Sequence, residues 1–508
     1  MATRAVLALD QGTTGSTALV ISEDGRVLGH GYSEFTQHFP RPGWVEHDPD
    51  EILDVTVRVV GEALAASGAD VAIEGVGITN QRETVVLWDR ATGQAVHRAI
   101  VWQDRRSSGI CSRLRAAGHE PMVRERTGLV LDPYFSATKL TWLFENRPGL
   151  RRQAEAGDLA AGTIDTWLVQ ALTCGRVHAT DPTNASRTLL CDLDRGAWDD
   201  ELLALFGVPA TLLPEIRPSA GDFGVADGSL LGIEAPITGI AGDQQAALFG
   251  QGCWEAGLAK NTYGTGAFLL LHTGNERARS GHGLLSTAAC SPTGGRAFAL
   301  EGSIFIAGAA LQWLRDKLGL LGSAAESGAM ARSLATNEGV YFVPAFVGLG
   351  APHWDPEVRG AILGLTRGTT PAHIARAALE AMAYGTAEVL EAMALDCGRD
   401  ATELRVDGGA SGNDWLMGFQ SDVLGIPVRR PATAETTVHG AAGLAGLGAG
   451  LWRPGDLLAL RREGRTFLPG MGKNERAGLL AGWRRAVRAA RRFAEVQVPA
   501  GEGPSGSA

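Results

Sequence analysis

The sequence predicts an α/β protein built from two related domains that face each other across a cleft. Apolar strand-like runs alternate with amphipathic helical patterns along the 508 residues, a length sufficient for two or three domains. Two short turns of glycine and threonine, in "LDQGTTGSTALVI" and "NTYGTGAFLLL", each join two apolar runs and each open one half of the chain. The similarity of these two segments indicates a first domain at 1–253 and a second at 254–495.

The elements follow from local patterns. The first domain is predicted to contain strands at 4–10, 17–22 and 26–33, a helix at about 50–67 and a buried strand at 71–78. Asp24-Gly25 supplies the hairpin turn into the third strand. In the second domain, residues 369–393 form a long predicted helix, with Thr370 as its cap and Pro371 in its first turn.

The C-terminal region predicts one more helix, amphipathic, with Trp483, Val487 and Ala490 on its apolar face. Its other face is interpreted as a solvated surface, with a docking site as the alternative, and it carries Arg484, Arg485, Arg488, Arg491 and Arg492. Residues 496–508 are predicted to be a disordered tail.

Composition limits the function classes. With 45% hydrophobic and 20% charged residues the chain is typical of a globular protein. Its net charge of −10 argues against nucleic-acid or anionic-membrane partners. The six cysteines lack CxxC spacing, which indicates reduced core thiols. Because no segment is typical of a leader or a membrane span, we expect a cytoplasmic protein without membrane insertion.

The first Gly/Thr turn raises a question of chemistry. An apolar strand ends at Asp10, and only small or polar residues stand between Gln11 and Thr17. Such a turn leaves backbone N–H groups exposed and adds hydroxyl donors, which suits phosphate; a plain hairpin turn is the alternative. The known phosphate motifs GxxxxGK[ST] and GxGxxG are absent. Nucleotide binding therefore requires a motif of another type.

A third glycine-rich turn supplies such a motif. "LRVDGGASGNDWLMGFQSDVLG" reads as a strand, a Gly408-Gly409 turn and a helix capped by Asn413 or Ser411. The glycines let the backbone approach a flat ligand, and the helix N-terminus favours an anion. Three such turns across two domains are more specific than any one of them.

Taken together, seven segments resemble the glycerol kinases, within the FGGY family of carbohydrate kinases: "ALDQGTTGST", "ITNQRETVVLWDRATG", "AIVWQDRR", "IAGDQQAALFGQ", "NTYGTGAF", "EGSIFIAGAALQWLRD" and "VDGGASGN". The resemblance runs from about residue 4 to 490. Relatives that act on xylulose or gluconate keep the glycine turns but not the "TNQRET" and "WQDRR" stretches.

The resemblance implies two actin/Hsp70-like (ribonuclease H-like) domains flanking a cleft for ATP and substrate. It also implies ATP-dependent phosphorylation of glycerol, a Mg²⁺ ion, and a homodimer or homotetramer. Asp10 and Asp243 would hold the metal, and Thr13, Thr14 and Gly15 would cradle the phosphates. A bulky residue between Gln11 and Gly15 would fill the phosphate space. The matching nucleotide-contacting positions are Thr265, Gly308, Gln312, Gly409 and Asn413.

By the same resemblance, the glycerol site comprises Arg82, Glu83, Trp102, Tyr134, Asp243, Gln244 and Phe268. Trp102 and Phe268 would pack the carbon backbone, and the polar members would bind hydroxyls. Asp243 would be the general base, whereas the pattern alone also fits a helix N-cap. The alternative activities are a kinase for another small polyol or sugar, and a non-transferring ATPase switch of the same fold.

One position departs from the family. Its members commonly carry "GTTSSR" or "GTTSTR", which places an arginine where this chain has Thr17. Loss of that charge-assisted contact predicts weaker phosphate binding, partly recovered by a cation.

Overall fold

The computed structural model of the chain describes residues 2–433, 435–462 and 464–495, so the predicted tail at 496–508 lies outside the described residues. The strands are β1 (Thr3–Gln11), β2 (Gly15–Ser22), β3 (Val27–Glu34), β4 (Glu46–His47), β5 (Val71–Asn80), β6 (Val85–Asp89), β7 (Ala99–Ile100), β8 (Leu159–Thr163), β9 (Ala179–Thr180), β10 (Cys191–Asp192), β11 (Ala197–Trp198), β12 (Glu215–Ile216), β13 (Val225–Ala226), β14 (Ala235–Gly242), β15 (Leu258–Tyr263), β16 (Ala267–Gly274), β17 (Leu285–Ala289), β18 (Ala297–Ile304), β19 (Tyr341–Val343), β20 (Ala361–Leu363), β21 (Glu403–Asp407), β22 (Val428–Arg430) and β23 (Arg465–Phe467).

The α-helices are α1 (Pro49–Ser67), α2 (Ser108–Ala116), α3 (Glu120–Thr127), α4 (Ser136–Asn146), α5 (Pro148–Ala156), α6 (Ile164–Leu172), α7 (Pro182–Ala185), α8 (Asp200–Phe206), α9 (Gly228–Leu231), α10 (Asp243–Gly250), α11 (Gly308–Asp316), α12 (Glu326–Arg332), α13 (Pro371–Cys397), α14 (Asp414–Leu424), α15 (Thr436–Gly448), α16 (Pro454–Leu460) and α17 (Lys473–Glu495). Short 3₁₀ helices cover Ala210–Leu212 and Gly409–Gly412.

Two large sheets carry the same strand order. The first sheet runs β13-β14-β5-β1-β2-β3, and within the second the strands β22-β21-β15-β16-β18 repeat the pattern of β14-β5-β1-β2-β3. In the first sheet β1, β2 and β3 pair antiparallel, while β14, β5 and β1 pair parallel. The second sheet has the same arrangement, with β15, β16 and β18 antiparallel and β22, β21 and β15 parallel. The two Gly/Thr turns form the matching hairpins β1–β2 and β15–β16. The predicted pair of related α/β units is therefore confirmed.

The two units contact each other through helices α10 and α15, which follow the last core strand of each unit. A Cβ atom added at Gly440 of α15 would lie 1.9 Å from the carbonyl oxygen of Ala246, and one at Gly250 would lie 2.2 Å from that of Thr436. Only glycine permits this backbone approach. Separate apolar cores lie around β1, β5 and α1, and around β15, β21 and α13.

Most predicted elements are present. The helix predicted at 369–393 continues to Cys397, and Thr370 caps it with Pro371 in the first turn. Trp483, Val487 and Ala490 of α17 are buried, as predicted. The arginine face, however, is not wholly solvated, because Arg484 pairs with Glu391 and Arg491 with Asp355 on neighbouring elements.

The prediction of core thiols is right for four of the six cysteines, all of which are free. Cys397 is only partly buried at the end of α13, and Cys174 is exposed because it follows the end of α6 in a left-handed turn (φ 52°). Among the helices that the structure describes, none combines the length and the apolar character needed to cross a membrane.

Candidate active site

The phosphate turn spans the residues between β1 and β2. Asp10 lies directly across the hairpin from Thr17. In the described part of the chain the backbone N–H groups of Thr13 and Thr14 have no hydrogen-bond acceptor, so two donors remain for an anion. Gly15 has a further reason to be small: an added Cβ would meet the Ser33 carbonyl oxygen at 2.7 Å. Close packing of β3, and not phosphate alone, therefore excludes a side chain at Gly15.

Two predicted metal ligands lie on the same side of the first sheet. Asp10 is on β1. Asp243 begins α10 directly after β14, which is separated from β1 only by β5. Burial, then the charges of Asp243 and Glu435, raise the pKa of Asp10 to about 7. A divalent cation would relieve this crowding of negative charge.

The described residues contain no group of three or more His, Cys, Asp and Glu that could hold a metal ion by themselves. This fits Mg²⁺ bound mainly through nucleotide phosphates and water, since such ions use only one or two carboxylates.

Only one of the two carboxylate oxygens of Asp243 has a polar partner among the described residues. Its Oδ1 accepts from the backbone N–H of Gln244 at 2.6 Å and lies 3.2 Å from Nε of Arg82. No hydrogen bond to Oδ2 is found among the described residues. The side chain is 32% exposed. The N-cap is Gly242, so Asp243 is the first helical residue and the N-cap alternative is wrong.

Arg82 and Glu83 form a buried charge network and not a surface pair. Arg82 donates to both carboxylate oxygens of Glu301, at 2.6 and 3.1 Å. Arg187 donates from Nε to Glu83 at 2.7 Å and from NH2 to Glu301 at 2.9 Å. All four side chains are at most 2% exposed. The two arginines thus neutralise two buried carboxylates and fix their orientation.

Glu83 has an unusual backbone conformation. Its φ is 62°, in the left-handed region that non-glycine residues rarely adopt. Lys139 stabilises the same loop, because its ammonium donates to the carbonyl oxygens of Glu83 at 3.2 Å and Phe135 at 3.2 Å. Burial lowers the pKa of Lys139 to about 8.

An aromatic wall borders the predicted substrate space. The Trp102 and Tyr134 rings meet edge to face, 5.5 Å between centroids. The Trp102 indole donates to Oγ1 of Thr13 at 3.0 Å, which links this wall to the phosphate turn. Burial, then the charge of Glu83, raise the pKa of Tyr134, so its hydroxyl remains a neutral donor.

Phe268 lies on β16 of the second unit, and Gln244 lies in the first turn of α10. In β16, Phe268 lies opposite Thr262, and both share one sheet face with Lys260 and Glu301. Lys260 donates to Oε1 of Gln244 and, at 2.8 Å, to Oγ1 of Thr262. This face of the second sheet therefore lies against the start of α10.

Three of the predicted nucleotide positions, Thr265, Gly308 and Gly409, lie at the turns that follow β15, β18 and β21 of the second unit. The Thr265 carbonyl oxygen accepts from the backbone N–H of Ala307 at 2.8 Å, so this turn adjoins Gly308 at the start of α11. Gly408, with φ 80°, lies against the backbone of Tyr263: an added Cβ would lie 2.4 Å from the Tyr263 carbonyl oxygen. Gly409 beside it borders open space.

The remaining two nucleotide positions lie on helices. Asn413 caps α14, as predicted, and its Oδ1 accepts from the backbone N–H groups of Trp415 and Leu416. Gln312 is exposed on α11, one turn after Gly308.

Five polar residues that contact the predicted site were not predicted from the sequence: Lys139, Arg187, Lys260, Glu301 and Gln245, whose Oε1 accepts from Arg82 at 3.3 Å. A usable signal existed for two of them, because Lys260 and Glu301 are charged residues inside otherwise apolar strands. Such residues are rarely buried unless they are paired.

Comparison with known proteins agrees with this geometry. The family models for the N-terminal and C-terminal domains of the FGGY family of carbohydrate kinases match residues 5–250 and 259–449. A glycerol kinase of Dechloromonas aromatica is 56% identical over 95% of this chain and 96% of its own length. One from Deinococcus radiodurans is 55% identical over 96% and 97%.

Solved structures give the same result. Plasmodium falciparum glycerol kinase with ADP superposes with a TM-score of 0.93 at 35% identity, covering 98% of this chain and 99% of that one. A xylulose kinase from Rhodospirillum rubrum, at 24% identity and a TM-score of 0.87, shares the fold. The resemblance predicted from the sequence is confirmed: the chain belongs to the FGGY family of carbohydrate kinases.

Proposed function

We propose that the protein transfers the γ-phosphoryl group of ATP to glycerol, producing sn-glycerol 3-phosphate and ADP. The relatives that are more than half identical over nearly the whole chain are glycerol kinases. The observation that carries the mechanism is Asp243: Arg82 and Gln244 hold its Oδ1, Oδ2 has no hydrogen-bond partner among the described residues, and the side chain is partly exposed.

In this proposal Asp243 is the general base. As a terminal hydroxyl of glycerol attacks the γ-phosphorus, its proton passes to Oδ2 of Asp243, the new O–P bond forms, and the bond to ADP breaks. Arg82 contacts Oδ1 of Asp243 and so fixes the orientation of this carboxylate. The roles of the site residues follow from their positions and from the family resemblance.

Glycerol binding is assigned to Arg82, Glu83, Tyr134, Asp243 and Gln244 for its hydroxyls, and to Trp102 and Phe268 for its carbons. A triol presents donors and acceptors at every carbon, so its site needs paired charged and amide groups beside an apolar wall. The buried Arg187 and Glu301 act as positioning residues, because they hold Glu83 and Arg82 in fixed orientations.

Nucleotide binding is assigned to Thr13, Thr14 and Gly15 for the phosphates, and to the second-unit positions Thr265, Gly308, Gln312, Gly409 and Asn413. Asp10 and Asp243 would hold a Mg²⁺ ion, which neutralises phosphate charge when bound. The two unpaired N–H groups of the turn support an anion there.

The remaining assignments rest on the sequence patterns and on the family. We propose two domains divided at residues 253 and 254, with the cleft between them. A cytoplasmic location and a homodimeric or homotetrameric assembly belong to the same proposal.

One assay separates glycerol kinase from its alternatives. ADP release is measured with Mg²⁺-ATP plus glycerol, plus other polyols and sugars, and with no acceptor. We expect rapid release with glycerol only. Faster release with another polyol would identify a different acceptor, and equal release without acceptor would indicate a non-transferring ATPase.

A further inference from the structure

A cavity lies between the two units, and none of the predicted glycerol, nucleotide or metal residues is among its described lining residues. Its volume is about 520 Å³, which is within the range of small-molecule sites. The β2–β3 turn and the end of α10 form one side, and α15 with the region around α16 forms the other. Helix α10 begins at Asp243 and ends at this cavity, so the two sites lie at opposite ends of one helix.

Aromatic rings form the apolar wall of the cavity. Phe249 and Trp254 lie 5.1 Å apart between ring centroids at an interplanar angle of 31°, and Trp452 lines the same space. Both indole N–H groups are already used: Trp254 donates to the carbonyl oxygen of Phe249 at 2.8 Å, and Trp452 to that of Glu23 at 2.9 Å. The rings therefore offer only apolar surface, which suits a flat ring of a ligand.

The polar lining of the cavity is positively charged. Arg26, Arg461 and Arg462 line it, and none of its described lining residues is Asp or Glu. This is unusual in a chain whose net charge is −10. Three guanidinium groups with no carboxylate among the described lining residues create a local positive field, and guanidinium forks match phosphate, sulfonate and carboxylate oxygens.

Arg461 is less compensated than Arg26. Arg26 pairs with Asp24 at 2.7 Å, whereas no ion pair or hydrogen bond of Arg461 is found in the described part of the chain. Burial, then the neighbouring Arg405 guanidinium, lower the pKa of Arg461 to about 10. A bound anion would offset both the lost hydration and the repulsion from Arg405.

We propose that this cavity is a second binding site, for a small anion that carries a flat apolar ring. The ring would lie against Trp254 and Trp452, and the anionic group would face Arg461. Because the lining comes from both units and includes none of the glycerol or nucleotide residues, the ligand would bind together with the substrates. The inference does not depend on the proposed phosphoryl transfer.

The test uses the fluorescent probe anilinonaphthalene sulfonate and its uncharged analogue N-phenylnaphthylamine, with the full-length protein and saturating ADP and glycerol. We expect one sulfonate probe per chain, bound at least about tenfold more tightly than the analogue, as one charge-assisted contact implies. Arg461→Met should remove that preference and leave analogue binding nearly unchanged. Arg152→Met, at an exposed arginine outside the cavity, is the matched control and should behave as the parent protein.

A second variant covers the case in which Arg461→Met fails to fold. Val27 lines the cavity and is 47% exposed, so Val27→Phe narrows the space with little risk to the core. Val27→Phe should lower the affinity for both probes severalfold without changing the rate of ADP release. Equal affinity of the parent protein for the two probes, full binding by the folded variants, or displacement of the probe by ADP and glycerol would each overturn the proposal.

Discussion

Nε of Arg82 lies 3.2 Å from Oδ1 of Asp243, although 160 residues separate the two in the chain. The contact arises because β5 and β14 are parallel neighbours, with Asn80 directly opposite Gly242. Each strand therefore delivers its following residues to the same edge of the sheet. In open α/β sheets this carboxyl edge is where ligands bind.

Asp243→Asn should retain the fold and nucleotide binding but lose kcat by about 10²-fold or more, as expected for removal of a positioned base. Asparagine can still accept from the Gln244 N–H, so the helix start is preserved. ADP binding by calorimetry and steady-state kinetics measure the two properties. Asp54→Asn, at an exposed carboxylate of α1, is the control. Near-normal turnover by folded Asp243→Asn would show that Asp243 is not the base.

Glu301→Gln should damage both stability and catalysis, because Arg82 and Arg187 would lose their shared buried counter-charge. Although burial opposes it, Arg187 and Arg82 lower the pKa of Glu301 to about 2, so the carboxylate is charged at neutral pH. Breaking such a buried network costs about 3–5 kcal/mol. We also expect a higher KM for glycerol and a lower kcat, because Arg82 orients Asp243.

Urea denaturation and steady-state kinetics test this expectation. Glu391→Gln is the matched control, since Glu391 pairs with Arg484 at the surface and both are substantially exposed. That variant should change stability by less than about 1 kcal/mol and leave the kinetics unaltered. A Glu301→Gln protein as stable and active as Glu391→Gln would argue against a positioning role.

The sequence was sufficient for features that depend on local pattern. The β1–β2 hairpin, the capped helix α13 and the α14 cap at Asn413 all follow from periodicity, turn residues and caps within a few positions. The family motifs supplied Asp243 and the nucleotide turns. By contrast, Glu301 meets Arg82 across 219 residues, and no local rule specifies that partner.

The cavity between the two units illustrates the same limit. Its lining residues come from well-separated segments, and each segment alone reads as an ordinary turn or helix end. Arg461 follows α16, where an exposed cation is the usual expectation for a helix C-terminus. Only tertiary packing places it beside Arg405 and the aromatic wall.

Thr17→Arg should lower the KM for ATP. Thr17 lies directly across from Asp10, next to the phosphate turn, at the position where the family commonly has arginine. A guanidinium there would add a charge-assisted contact to phosphate, worth about 1.5–3 kcal/mol before compensation. Thr17→Met adds comparable bulk without charge and should not lower the KM. An unchanged or raised KM in Thr17→Arg would count against the hypothesis.

The pH dependence of stability should change in Asp165→Asn. Asp165 lies fully buried in α6 and accepts from the hydroxyls of Thr163 at 2.5 Å and Thr180 at 2.6 Å. Burial raises its pKa to about 7, from an ordinary value of 3.8. The folded protein therefore retains a proton that the unfolded chain releases between about pH 4 and 7. The stabilising effect of that proton is lost as the pH rises through this window.

Asparagine does not titrate, so the free energy of unfolding of Asp165→Asn should increase relative to the parent protein as the pH rises from 5 to 8. The difference should be at most on the order of 4 kcal/mol. Urea denaturation midpoints at several pH values measure it, with Asp54→Asn as the exposed control. Parallel pH profiles for Asp165→Asn and the parent protein would mean that Asp165 is already charged in the folded state, held so by its two threonine donors.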